Sequence, residues 1–124
     1  MNALMQAQQA YGATKSATQT GRETEAQLLQ GSIAELSKAA AGLPGSFPRL
    51  ANALHRNRQI WTHLAVSVAD QDNALPSDLK ARIFYLSEFV ASHSAKVLRS
   101  KADVAPLIEV NSAIVRGLNV GGAQ

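Results

Sequence analysis

The stretch LANALHRNRQIWTHLAVSV, residues 50–68, decides the fold class of this chain. Its apolar side chains recur at alternating steps of four and three residues, the spacing of one face of an α-helix. The positions on this face are Leu50, Leu54, Asn57, Trp61, Leu64 and Val68. The sequence therefore predicts a long amphipathic helix whose buried face carries one amide, that of Asn57.

Segments before and after this stretch show the same periodicity. An earlier helix is predicted from a Thr20–Glu23 capping box to the Gly-Leu-Pro-Gly breaker at residues 42–45, and Ser46 with Pro48 opens the central helix. The earlier helix carries Ala26, Leu29, Ile33, Leu36 and Ala40 on its buried face. After the turn at residues 70–76, Ser77 and Asp78 start the next helix, and Asp103 caps the last one.

These two later helices also carry apolar faces. The first has Leu79, Ile83, Leu86, Val90, His93 and Val97 on its seam, and Phe84, Tyr85, Phe89 and Leu98 widen its apolar surface. The last has Leu107, Asn111, Ile114 and Leu118 on one face. The prediction is an all-α, single-domain antiparallel bundle of about four helices spanning residues 1–124.

The two ends are predicted to be less regular. A short helix is expected over the first eleven residues, and residues 12–21, rich in Thr, Ser and Gly, are interpreted as a connector. Residues 1–20 are thus predicted to form a mobile N-terminal arm with a short helix, and residues 119–124 a flexible tail.

Composition excludes several kinds of chemistry. The 124 residues include no cysteine, so disulfides, thiolate metal sites and a cysteine nucleophile are absent. We find neither a secretory signal nor an apolar run long enough to cross a bilayer, and we expect a cytoplasmic protein without a membrane partner. The net charge of +3 is too small to identify a partner.

The sequence contains no complete motif for a metal, a nucleotide or another cofactor. His55 and His63 are eight residues apart and do not form a His-Glu-x-x-His pair, and His93 is interpreted as a structural residue on an apolar seam. The segment beginning at Asp70 lacks the Gly and Glu that a calcium loop requires at its sixth and twelfth positions. We expect no catalytic residue, no metal, no cofactor and no enzymatic activity.

Polar residues on the buried faces allow two interpretations. A buried amide without a partner costs about 1–3 kcal/mol, so Asn57 and Asn111 must be paired, exposed or used to bind. Either they bridge neighbouring helices, or they line a groove that receives a partner helix. Trp61 is likewise either a core anchor or a binding hot spot.

The motif set resembles that of the bacterial FlaF family of flagellar biosynthesis proteins. The matching pieces are the residues around Asn57 and Trp61, the Asn73-Ala74-Leu75-Pro76 turn with the helix start at residues 79–82, the Phe89-to-His93 segment, and residues 107–118. Their order and spacing, from Tyr11 to Leu118, make the combination specific.

The resemblance implies a protein that binds flagellin, acts as its secretion chaperone, and promotes flagellin synthesis and export, with the regulator FlbT as a candidate second partner. The residues expected to bind flagellin are Leu54, Asn57, Trp61, Arg82, Phe89 and Asn111. The alternative is a post-transcriptional regulator acting through flagellin mRNA or FlbT. Arg56 and Arg58 motivate RNA contact, although a solvated helix face is the favoured interpretation of this pair. A third interpretation is self-association through the helix after residue 78.

Overall fold

The structure, a computed structural model, describes the backbone of residues 3–42 and 45–123 and the side chains of residues 21–42 and 45–119. Over this part of the chain it contains four helices and no strand. They are α1 (Ala3–Ala41), α2 (Phe47–Ala69), α3 (Ser77–Leu98) and α4 (Ala105–Ala123). Helix α1 packs against α2 and α4, α2 packs against α3, and the contact between α3 and α4 is the smallest. The predicted all-α bundle is confirmed.

The prediction for the N-terminal region was wrong. Residues 12–21 continue α1 without a break, so no connector separates a short arm helix from the bundle, and no helix begins at the Thr20–Glu23 capping box. Glycine in a helix interior costs only about 1 kcal/mol relative to alanine, which good helix formers on both sides can offset. At the other end, α4 continues to Ala123, where a flexible tail was expected from residue 119.

The predicted buried faces are largely correct. All six positions of the central seam on α2 and all four on α4 are buried. On α1, Ser32 and Ala39 are buried in place of Ile33 and Ala40, and on α3 Ser94 is buried in place of His93. In each of these cases the buried residue is the immediate neighbour of the predicted one. A helical turn has 3.6 residues, so the next residue on the same face can be three or four positions further on.

Helix ends follow the expected breakers with small differences. Ser46 occupies the N-cap of α2 but makes no side-chain cap bond, and Pro76 rather than Ser77 is the N-cap of α3. Leu43 and Pro44, part of the predicted breaker, lie outside the described residues. After α3, Ser100 adopts a positive φ of 59°, and the Lys101 amide donates to the Lys96 carbonyl in a Schellman-type ending.

None of the helices, over the residues described, is both long and apolar enough to cross a membrane.

Candidate functional site

A buried hydrogen-bond network joins three helices at the centre of the bundle. The Trp61 indole Nε1 donates to Asn111 Oδ1 at 2.8 Å, and Asn111 Nδ2 donates to Asn57 Oδ1 at 2.7 Å. The Ser32 hydroxyl donates to the same Asn57 oxygen at 2.8 Å. All four side chains are buried. The network therefore ties α2 to α4 through Trp61 and Asn111, and α2 to α1 through Ser32.

The indole fixes the orientation of both amides. An indole N–H can only donate, so the Asn111 atom that faces it must be the oxygen. The Asn111 nitrogen then faces Asn57, which must present its own oxygen. Among the side chains that the structure describes, this assignment leaves Asn57 Nδ2 buried without a partner, and the buried Ser94 hydroxyl on α3 also has none.

Three of the four network members, Asn57, Trp61 and Asn111, were predicted from the sequence, and Ser32 was not. The signal was present, because Ser32 lies next to Ile33 on the α1 seam and a buried amide on α2 needs a partner. Of the two interpretations of Asn57, Trp61 and Asn111, the structure supports the one in which they bridge helices.

The six predicted flagellin-binding residues do not form one surface. Leu54, Asn57, Trp61 and Asn111 are at most 1% exposed, so they offer almost no surface to a partner while the bundle stays closed. Arg82 is exposed and Phe89 is half-buried. These two lie seven residues apart on one face of α3, where the Phe89 ring stacks on His93 at a centroid distance of 5.1 Å.

His93 has a structural role, as predicted. Its Nε2 lies 2.8 Å from the Asp103 carbonyl oxygen, which connects α3 to the segment before α4. Over the described residues, no three His, Cys, Asp or Glu side chains come together in a way that could hold a metal ion.

The three most exposed large apolar side chains, among the residues described, lie instead on α2 and α3. Val66 is 69% exposed, Phe84 50% and Tyr85 72%, and the two aromatic rings meet edge to face. Between the helices runs an open groove of about 280 Å³, which we call the α2–α3 groove. Its walls are Arg58, Thr62, Ala65 and Val66 on α2 and Ser87, Glu88 and Ala91 on α3, and Trp61 and Val90 also line it. The apolar surface that the sequence assigned to this helix thus stays partly uncovered.

The two arginines that motivated RNA contact point away from each other. Arg56 and Arg58 are two residues apart on α2, a separation of about 200° around a helix. Arg56 faces α1, where its Nη2 lies 2.7 Å from Glu35 Oε2, whereas Arg58 lines the α2–α3 groove. They therefore do not form one basic patch.

A titratable pair lies between α1 and α2. A carboxylate oxygen of Glu25 lies 3.9 Å from His63 Nε2. Burial raises the pKa of Glu25 above its ordinary value of 4.5, although His63 and Arg22 act in the opposite direction. Desolvation of the carboxylate thus outweighs its attraction to the two basic side chains.

The helix packing defines the class of this protein: a small all-α bundle held by an apolar core with a polar network at its centre. Within that class, the family model described as Flagellar protein FlaF matches residues 7–118, and the chain belongs to this family. Membership supports a flagellar role. Neither the curated proteins nor the solved structures include a significant match to the chain.

Proposed function

We propose that this protein binds flagellin in the cytoplasm before export, acting as a non-enzymatic secretion chaperone that promotes flagellin synthesis and export. The observation that carries the proposal is the exposure of three large apolar side chains: Val66, which lines the α2–α3 groove, and Phe84 and Tyr85 on α3. Family membership supplies the flagellar context.

The surface suits an amphipathic helix. Flagellin's terminal segments are amphipathic, and before assembly they expose apolar stripes that a groove between two helices can shield. Fully burying a large apolar side chain contributes about 1.5–3 kcal/mol, and a dissociation constant of about 1 μM corresponds to about 8 kcal/mol. Three anchors on this surface, together with the partner's own side chains, provide free energy of that order before ordering costs.

The groove also has polar groups that can orient a bound helix. Arg58 and Glu88 line opposite walls, with Thr62 and Ser87 also in the lining. A bound segment that pairs with both charges has one preferred direction. Direct contact with FlbT stays a prediction from the family resemblance.

The test is a calorimetric titration of purified flagellin into the wild-type protein and into a Phe84→Ala/Tyr85→Ala variant. We expect the variant to bind at least about tenfold more weakly, because it loses two anchors worth more than about 1.4 kcal/mol together. A matched control replaces Leu28 and Phe47, two other exposed apolar residues, by Ala. Unchanged binding by the Phe84→Ala/Tyr85→Ala variant, or an equal loss in the control, would rule out this surface.

Two further measurements separate the proposed partner from the other interpretations. End-truncated flagellins show which terminal segment binds. Light scattering of the protein alone tests whether the same apolar surface mediates self-association, in which case the variant would shift an oligomer to monomer and leave flagellin binding intact.

A further inference from the structure

We propose that a second surface, on the opposite flank of α2, binds an acidic segment of a protein partner. The surface is a cleft of about 230 Å³ between α1 and α2, lined by Ala34, Glu35, Lys38, Arg49, Ala53 and Arg56, and we call it the cationic cleft. It is independent of the flagellin proposal, because it shares no lining residue with the α2–α3 groove.

The side chains that line the cleft carry more positive than negative charge. Arg56 is paired with Glu35, whereas Lys38 and Arg49 form no ion pair with any residue that the structure describes. Three cations and one anion leave an excess of two positive charges in the lining. Two further carboxylates would balance it.

The start of α2 increases this excess. Arg49 lies in the first turn of α2, where a helix favours negative charge, and that turn contains no acidic residue. Ser46 at the N-cap makes no side-chain bond to the free amides there. The helix end is thus electrostatically unfavourable in the protein alone and would improve when an anion binds beside Arg49.

Carboxylates fit the cleft better than the phosphates of a nucleic acid. Arg56 Nη2 already lies 2.7 Å from the Glu35 carboxylate there, so one cation of the lining is paired with that group. Within the described part of the chain, the lining contains no aromatic side chain on which a base could stack. Its three cations are also fewer than the six to ten phosphate contacts of a typical specific nucleic-acid site. Arg49 and Arg56 are two helical turns apart, about 10 Å along the axis, a distance that a short acidic segment can span.

The experiment measures fluorescence anisotropy of a labelled oligoglutamate peptide with the full-length protein at low and moderate salt. Arg49→Glu places an acid in the first turn of α2, which favours the helix, so a binding defect in this variant does not reflect unfolding. We expect Arg49→Glu to weaken binding about tenfold, because an attractive contact becomes repulsive. The control Arg116→Glu changes an exposed arginine on α4 by the same charge and should have an effect of less than about twofold.

A second variant predicts the opposite sign. Glu35→Gln frees Arg56 and should tighten peptide binding several-fold more than Glu109→Gln, which removes an exposed acid from α4. The proposal is overturned if the peptide does not bind at low salt, if Arg116→Glu weakens binding as much as Arg49→Glu, or if Glu35→Gln has no effect. Tighter binding of a labelled oligouridine, with the same dependence on Arg49, would show that the cleft binds a nucleic acid rather than an acidic protein segment.

Discussion

The hydrogen bond between Trp61 and Asn111 is expected to contribute measurably to the stability of the bundle. Asn111→Ala leaves the indole N–H buried without an acceptor, which costs about 1–3 kcal/mol. The space vacated by the amide adds about 1 kcal/mol, given about 24 cal/mol per Å³ of cavity. The expected loss is thus about 2–4 kcal/mol. A domain of this size typically has 5–15 kcal/mol of stability, so the variant should remain folded.

The assay is a double-mutant cycle of Asn111→Ala and Trp61→Phe, with urea unfolding followed by far-ultraviolet circular dichroism. In the double variant neither the indole donor nor its acceptor remains, so the two losses should not add. We expect a coupling energy of about 1–2 kcal/mol. Ser32→Ala provides a comparison and should cost only about 0.5–1.5 kcal/mol, because Asn57 Oδ1 still accepts from Asn111. Losses that add to within about 0.5 kcal/mol would refute the bond between Trp61 and Asn111.

Two further predictions concern α1. Because burial raises the pKa of Glu25, this carboxyl favours folding less as the pH rises from 4.5 through the raised value, so Glu25→Gln should gain stability relative to wild type between pH 4 and pH 7. Urea midpoints at both pH values, repeated with His63→Ala in both proteins, check this, and a difference that shrinks with pH would contradict it. Gly21→Ala should stabilise the protein by about 0.5–1 kcal/mol, because Gly21 lies within α1 and an added Cβ meets no atom within 4 Å. A lower thermal midpoint for Gly21→Ala would contradict a continuous α1 at this position.

The sequence predicted the helices and most of the core because both depend on local periodicity. The six seam positions on α2 repeat every three or four residues, and their burial follows from helix geometry. The break in α1 was predicted wrongly because Gly12 and Gly21 signal a turn only when the neighbouring residues do not sustain the helix. Local composition is therefore a weak guide to whether a glycine ends a helix or lies within it.

The candidate site was less predictable because its function depends on contacts between distant segments. An amide on an apolar seam is equally compatible with a groove and with a buried partner, and Asn57 and Asn111 are 54 residues apart in the chain. The exposure of Phe84 and Tyr85 likewise depends on which neighbours cover α3. The sequence identified the widened apolar surface, but only the packing shows which part of it stays open.

Trp61 belongs both to the buried hydrogen-bond network and to the lining of the α2–α3 groove. Its indole nitrogen belongs to the buried network, and its side chain also lines the α2–α3 groove. Replacing Trp61 by Ala would therefore disturb the groove and weaken the proposed flagellin binding even if the ring never touches the partner. A binding defect in that variant cannot identify a contact residue, and retained helicity would not change this. Only substitutions of exposed side chains, such as Phe84→Ala/Tyr85→Ala, distinguish a binding surface from the core that supports it.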